Sequence, residues 1–325
     1  MLSIYKLSIF STVARVGSFS KAAKALYLTQ PAVSQHIVAL EKQMGISLFA
    51  RKQRGVELTS AGETLLEYSQ QILWLTQAAE SAVADVENIQ DGILRLGATP
   101  SASIYLLPDW MNNFRQRYPS INFSLDTDTT SRLLSRIKNH TLELSIVEGE
   151  VKEESNLNIV LLKDTELLLI IPPDHAWREL DSVSIRSLDN VPFAARQIDS
   201  QTRIWVDRLL AEYDIRPQIA FEFDNPESIK RAVIRKMGVS ILPACAVQEE
   251  IKQKQLIALP LEEKILKRQL KCVWSSEYPL SAIGRAFIGM LSENFPALIS
   301  ASNIPQSVPA DLFLVNTNHQ NETVS

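Results

Sequence analysis

A chain of 325 residues, 46% apolar and 22% charged with a net charge of −4, can build about two globular cores. It holds no run near 18 uninterrupted apolar residues, and it opens on Met1-Leu2-Ser3-Ile4-Tyr5-Lys6, an amphipathic start without a long apolar signal segment, which predicts a cytoplasmic protein with no membrane partner. Cys245 and Cys272 stand apart without a C-x-x-C pattern and the four histidines are scattered, which argues against a disulfide framework and a metal site; P-loop, G-x-G-x-x-G and G-x-S-x-G signatures are missing too, which disfavours an enzyme.

Along the chain, a first helix is predicted to end at Gly17, where the backbone can reverse, and Ser18 or Ser20 can cap a second. Thr29 can cap a third, with Pro31 in its first turn, where a missing N–H costs nothing. Val33, Ile37, Leu40 and Met44 then recur as one apolar stripe, and Gly45 ends the helix. Two helices joined by a short turn, the second free to enter a major groove, make a helix-turn-helix. Gln30, Ser34, Gln35 and His36 face outward near its start, and Arg51-Lys52-Gln53-Arg54-Gly55 reads as the tip of a two-stranded wing. Such polar side chains also occur on any solvated helix, but charge tips the balance. Residues 1–62 carry eight Lys or Arg against Glu41 and Glu57, a net of +6, which leaves −10 on the remainder. A basic module on an acidic body is the footprint of DNA binding. The DNA-contacting residues predicted on this basis are Ser20, Gln30, Pro31, Ser34, Gln35, His36, Arg51 and Arg54.

Ser60 and Glu63 form a capping box ahead of a long helix expected to run to about Gln90. Leu65, Tyr68 or Leu66, Ile72, Leu75, Ala79, Ala82 or Val83, Val86 and Ile89 give it one stripe that must be covered, by the chain's own second domain or by a second subunit. Asp91-Gly92 breaks it. Strands then alternate with helices: Leu94–Gly97, helix Tyr105–Tyr118, Ile121–Leu125, helix Ser131–Asn139 and Leu142–Val147. A second series runs Leu167–Ile171, Pro192–Ala195, helix Arg203–Tyr213, Ile219–Phe223, helix Glu227–Arg235 and Val239–Leu242, before strand Lys271–Trp274 and helix Ser281–Phe295 return. This pattern predicts parallel sheets in two lobes, with chain crossings near Leu162 and Lys267 and a cleft between them.

Ligands of such sheets sit beyond strand C-termini, near helix N-termini. That places Thr99, Ser101, Thr129, Glu148, Ser200 and Thr202 in the mouth of the cleft, with Ser103, Thr127, Thr130 and Gln197 beside them. Hydroxyls there suit a small anion or carboxylate, although each is also an ordinary N-cap. Glu148 would repel an anion unless it pairs with a cationic group or faces away. Beyond about Ala301 the chain turns polar and Asn-rich around one apolar island, Leu312-Phe313-Leu314-Val315, which reads as a mostly disordered tail.

Phe10, Ala14, Gly17-Ser18-Phe19, Ala22-Ala23, Leu26, Gln30-Pro31-Ala32-Val33-Ser34, Ile37, Leu40-Glu41, Gly45, Leu48-Phe49, Arg51 and Leu58-Thr59-x-Ala61-Gly62 together resemble the winged helix-turn-helix of the LysR-type transcriptional regulators. Leu96-Gly97-Ala98, Tyr105-Leu106-Leu107-Pro108, Tyr118-Pro119, Leu142 to Gly149, Pro172-Pro173-Asp174-His175 and Gly238-Val239-x-Ile241-Leu242-Pro243 extend the resemblance to about residue 297. It implies a mainly α winged helix-turn-helix at 1–60, a linker and dimerisation helix at 61–91, and a two-lobed α/β effector domain of periplasmic-binding-protein type at 92–300. Lobe I would take about 92–162 and 268–300, lobe II about 163–267, with the tail at 301–325. It also implies a homodimer or homotetramer whose linker helices pair antiparallel, double-stranded DNA with a pseudo-palindromic promoter site, RNA polymerase as a partner, and a small-molecule effector of unknown identity in place of any cofactor. A solute-binding receptor or an α/β enzyme is the alternative; the basic N-terminal module and the missing signal segment speak against the first, the missing catalytic motifs against the second. Three residues depart from the pattern: Glu143 stands where Asp is usual, and Lys236 and Gln201 where Gly is common. The first reads as harmless, the second as a possible change of turn, the third as a possible change of ligand. Gly97-Ala98-Thr99 with Phe114 to Pro119 is similar to regulators of carbon fixation and of sulfur or nitrogen assimilation.

Overall fold

A computed structural model describes residues 2–52, 55–83, 92–263 and 265–302. Helices α1 (Ile4–Val16), α2 (Phe19–Ala25) and α3 (Gln30–Met44) are followed by the antiparallel pair β1 (Phe49–Lys52) and β2 (Gly55–Leu58), then by α4 (Ser60–Val83). Gly17 ends α1 at φ +64, and Ser18, not Ser20, caps α2 by accepting from Lys21 N (3.4 Å). Ser20 lies one position inside α2, exposed. Thr29 caps α3 by accepting from Ala32 N (3.4 Å). The stripe of α3 closes on Val33, Ile37 and Leu40, packed with Leu7, Phe10, Leu48 and Leu65, whereas Met44, expected in it, is exposed at the final turn. Glu41 Oε1 accepts from Leu48 N (2.7 Å) and Phe49 N (3.2 Å), which pins the wing to the reading helix. The cap of α4 is Thr59, whose hydroxyl accepts from Gly62 N (3.1 Å), rather than the Ser60–Glu63 box. Gly62 is required there: a Cβ would stand 2.1 Å from the Leu48 carbonyl oxygen.

The body runs β3 (Gly92–Ala98), α5 (Pro100–Tyr105), α6 (Leu107–Arg117), β4 (Ile121–Thr127), α7 (Thr130–Lys138), β5 (Leu144–Glu148) and β6 (Leu157–Ile171). It continues through β7 (Pro192–Arg196), α8 (Gln201–Glu212), β8 (Gln218–Phe223), α9 (Pro226–Ile234), β9 (Ser240–Pro243), α10 (Ala244–Lys252), β10 (Ile257–Leu259), β11 (Leu266–Ser275), α11 (Ala282–Ser292) and α12 (Ala297–Ser302). The helix expected over 105–118 is α6, preceded by a separate α5 that ends at Tyr105; Leu106 (φ −120, ψ −50) divides them, and Pro108, in the first turn of α6, has no N–H to continue α5.

The sheets are mixed where parallel ones were expected. β3 pairs parallel with β4 and β5, but β11 pairs antiparallel with β5 and β6, and β9 and β10 flank β6 antiparallel. Two long strands, β6 and β11, cause this by running through both lobes. Val160, Leu270, Cys272 and Trp274 join the core of lobe I, with Leu96, Phe114, Ile146 and Phe287, while Leu167, Leu169 and Leu266 join that of lobe II, with Phe193, Leu209 and Ile241. β7 and β8 form a further parallel pair in lobe II.

The departures at Glu143 and Lys236 have structural consequences. Lys236 adopts φ +63, the conformation that Gly would supply, and pairs with Asp174. Glu143 is buried and accepts from Ser281 N (2.6 Å) at the start of α11. It fits because Gly284 faces it: a Cβ there would lie 2.3 Å from Glu143 Oε1. The substitution is thus matched to its neighbour, not merely harmless. Burial raises the Glu143 carboxyl above its ordinary range, opposed by its bonds to Ser281.

Candidate functional site

Two regions carry chemistry. At the first, Gln30, Pro31 and Gln35 are exposed along the start of α3, with Ser34 half-buried beside them. His36 is half-buried, its ring edge-on to that of Tyr5 of α1 at 5.3 Å. Arg51 is on β1; its side chain and all of Arg54 lie outside the described residues. Tyr27, 98% exposed at φ +54 in the turn before α3, was passed over in the sequence although it adjoins this surface. On α4, Tyr68, Ile72 and Leu75 are exposed in a single chain, while Leu65 is buried against the winged domain. The expected positions Val86 and Ile89, like the break at Asp91, lie outside the described residues.

The second region is the junction of the lobes. Thr99, Ser101, Thr129, Glu148, Ser200 and Thr202 are all buried there. Thr99 Oγ1 donates to Glu148 Oε2 (3.4 Å), and Thr130 Oγ1 donates to the Glu148 carbonyl (3.2 Å). Ser200 is a cap, accepting from Arg203 N (3.1 Å), which is the ordinary role weighed for it; Thr99 and Thr129 make no side-chain cap. Ser103 and Thr127 bond each other (2.7 Å) at an exposed position.

Two arginines complete the floor, and both escaped the sequence reading. Arg268, on β11, donates to Thr202 Oγ1 (2.5 Å) and to the Glu148 carbonyl (3.0 Å), and its guanidinium lies 3.9 Å from Glu148 Oε2. It therefore ties lobe II to lobe I and supplies the cation that Glu148 requires. Arg196, at the end of β7, donates to the Asp224 carbonyl (2.7 Å). Burial pulls both guanidinia below their usual range; the charge of Arg268 lowers Arg196 further, and Glu148 opposes each shift. Glu148 Oε1, Arg196 Nε and Arg268 Nε have no hydrogen-bond partner among the described residues. Glu148 is the buried carboxylate beside these two buried guanidinia, while Asp199 and Asp224, both exposed, act on Arg196 from the solvent side; the unpartnered guanidinium N–H groups are donors that an incoming anion would satisfy. A signal for Arg268 was present: in the alternation Leu266-Lys267-Arg268-Gln269-Leu270 it shares the buried face with Leu266 and Leu270.

Beside the floor, Tyr105 of α5 donates to Glu227 of α9 (2.5 Å), and the buried Lys230 bridges Glu227 and Glu250 at 2.7 Å each, 4.9 Å from the Tyr105 ring. Burial pushes the Cys245 thiol up to about 11 and the Cys272 thiol to about 12, which suits inert packing residues. Among the described residues no cluster of His, Cys, Asp or Glu could hold a metal ion, and no helix is long and apolar enough to cross a membrane.

A winged reading helix joined by a long helix to a two-lobed α/β body defines a ligand-responsive DNA-binding regulator. Residues 4–63 match the family model for the bacterial regulatory helix-turn-helix protein of the lysR family, and residues 88–296 match the LysR substrate binding domain. The chain belongs to the LysR family and is a transcriptional regulator, not an enzyme. It is 34% identical over 290 residues to a probable RuBisCO transcriptional regulator of Cyanophora paradoxa, covering 88% of this chain and 90% of the relative. The regulatory domain of Synechocystis CcmR, solved in complex with 2-PG, is 28% identical with a TM-score of 0.58, covering 66% of this chain and 100% of that one. Full-length CbnR in complex with its target DNA shares the whole architecture at 21% identity and a TM-score of 0.67, covering 90% of this chain and 100% of that one.

Proposed function

We propose that this regulator controls genes of carbon fixation and that a small anionic metabolite, bound at the lobe junction, sets its activity. The observation that carries the anion is the floor itself: Arg196 and Arg268 are buried around one buried carboxylate, Glu148, and each presents a buried Nε without a hydrogen-bond partner among the described residues. Thr99, Ser101, Thr129, Ser200 and Thr202 would complete the pocket. The 2-PG held by CcmR is a ligand of the chemistry this floor suits, and the role printed for the Cyanophora relative supplies the target class.

On DNA, Gln30, Ser34 and Gln35 would meet base edges, with Ser20, Pro31 and the wing residues Arg51 and Arg54 on the backbone. The exposed stripe of Tyr68, Ile72 and Leu75 supports pairing of α4 with the same helix of a second subunit, which presents two reading helices to a pseudo-palindromic site. The protein would then act in the cytoplasm, beside RNA polymerase. The test is mapping of genomic DNA retained by the purified protein at fixed salt, with and without 2-PG. Enrichment of a promoter for carbon-fixation genes, shifted in pattern by 2-PG, is the expected result. Enrichment confined to unrelated promoters overturns the target, and a response to neutral metabolites alone overturns the anion.

A further inference from the structure

Trp74 of α4 leaves the DNA-binding half of the chain and packs on lobe I. Its ring stacks on His140 (centroids 5.5 Å apart, planes 29° apart) and meets Tyr278 edge-on at 5.3 Å; His140 and Tyr278 are 3.9 Å apart. The three rings come from three elements: the linker helix, the turn after α7 and the loop after β11.

Both lobe I elements begin at the floor of the lobe junction. α7 starts at Thr130, whose hydroxyl is bonded to the Glu148 carbonyl, and its nine residues end one position before Asn139-His140. At 1.5 Å per residue that is a rod of roughly 13 Å, held along its length by buried Leu133 and Ile137. β11 carries Arg268 near its start and ends at Ser275, three residues before Tyr278. That loop is fixed in turn, because Ser276 Oγ donates to the Ser155 carbonyl (2.7 Å) and Glu277 N donates to Ser275 Oγ (3.2 Å). Two stiff elements anchored at one floor therefore converge on one side chain of the linker helix. His140 is held tightly at that point: it is buried and sits at φ +54, a conformation His tolerates better than most residues. Burial also lowers its affinity for a proton, with Glu277 opposing.

We infer that Trp74, His140 and Tyr278 form the joint through which the state of the lobe junction reaches the linker helix, with Trp74 as the positioning residue. This rests on the junction being the effector site. A change that separates Thr130 from Glu148, or Arg268 from Thr202, shifts α7 or β11 as a body and moves the seat of Trp74. A packed aromatic seat transmits such a shift because rings in van der Waals contact cannot absorb it.

The test is hydrogen exchange of the full-length protein, followed in peptides covering residues 65–76 of α4. Thr130→Val and Thr202→Val each remove one buried hydroxyl contact at the floor while keeping side-chain shape. Each is expected to change exchange in that peptide about threefold or more, as coupling of ordinary strength would. In the Trp74→Leu background the response is expected to vanish, and in Trp74→Phe, which keeps a ring, it is expected to persist. An equal response in the Trp74→Leu background overturns the joint, as does no response of α4 to either floor variant in the wild-type background. Thermal shift with inorganic phosphate, run on the same proteins, reads the site separately. Phosphate stabilisation of the wild type that weakens in Thr202→Val supports the effector reading, and its complete absence counts against that reading while the exchange result still judges the joint.

Discussion

Glu148→Gln tests the charge balance at the floor most directly. The residue is 2% exposed, its carboxylate lies 3.9 Å from the Arg268 guanidinium, and its charge also acts on Arg196. The amide keeps the shape and the backbone carbonyl that Arg268 and Thr130 use, so the variant removes charge and little else. Arg268 then loses the counter-charge that acts on it, and Arg196 keeps only the exposed Asp199 and Asp224. Stranding one member of a buried pair costs about 3–5 kcal/mol. For a cooperative unit of the size of the α/β body, each kcal/mol lowers Tm by roughly 2–4 °C, which makes the expected loss roughly 6–20 °C. The double variant Glu148→Gln, Arg268→Met removes the second cation as well. It gives up the bonds of Arg268 to Thr202 and the Glu148 carbonyl but relieves the repulsion on Arg196. It should therefore fall short of the sum of the two single variants by about 2 kcal/mol, within the range measured for contacting residues. The assay is thermal unfolding of all four proteins, each with and without phosphate, which should protect Glu148→Gln most. Additivity to within about 0.5 kcal/mol, or a Glu148→Gln variant as stable as wild type, would refute the view of the floor as one coupled charge cluster.

Gly284→Ala should destabilise by about 1–3 kcal/mol through overpacking, since its Cβ would stand 2.3 Å from Glu143 Oε1; Glu143→Asp, which shortens the buried side chain, should recover part of that loss in the same thermal melts. Stability should also fall on acidification. Burial depresses the proton affinity of His140 and His175 in the fold, so between their folded values and the ordinary one near 6.5 the unfolded chain binds more protons. The contribution is complete above that ordinary value and declines as pH drops through it towards the folded ones; urea titrations from pH 7.5 downwards should show the decline, reduced in His140→Gln. Gln35→Ala should relax preference at one base pair by about 1–3 kcal/mol, while Arg51→Ala should weaken all sequences alike and flatten the salt dependence. Competition binding with a point-substituted promoter set separates the two, and reversed behaviour would exchange their roles.

The winged half was legible because short-range rules govern it. Gly17, Ser18, Thr29, Pro31 and Gly45 each fix a local backbone event, and the stripe Val33, Ile37 and Leu40 needs only helical periodicity to be read. At α4 the Ser60–Glu63 pattern misled: Ser60 is the first helical residue, and Thr59, one position earlier, is the cap that accepts from Gly62 N. The crossing strands were harder. Lys163-Asp164-Thr165-Glu166 interrupts β6 with polar residues, so its first half reads as loop; only pairing with β11 over its whole length reveals one strand. Pairing partners are long-range facts, which also explains why antiparallel neighbours went unseen behind an alternating strand and helix pattern.

The floor lies between these cases. Glu148 was found by position, at the end of the fully buried strand β5, and electrostatics left it two choices, a cationic partner or an outward orientation, of which the structure holds the first. Arg268 was findable by the same logic, since period-two alternation puts it with Leu266 and Leu270 on the face that faces inward. A charged residue on an apolar face breaks the local rule, and proteins keep such breaks where a site needs them. Arg196 offers no comparable pattern, because it ends a short buried run, Phe193-Ala194-Ala195, where a charge could equally mark the return to solvent. What separates the two is the strand each occupies. Arg268 lies on an element common to both lobes and bonds to each of them, so it both neutralises Glu148 and holds the lobes together. Any anion drawn to the free edges of these guanidinia would compete with Glu148 for them, and that competition is the physical means by which a small ligand could loosen or tighten the junction.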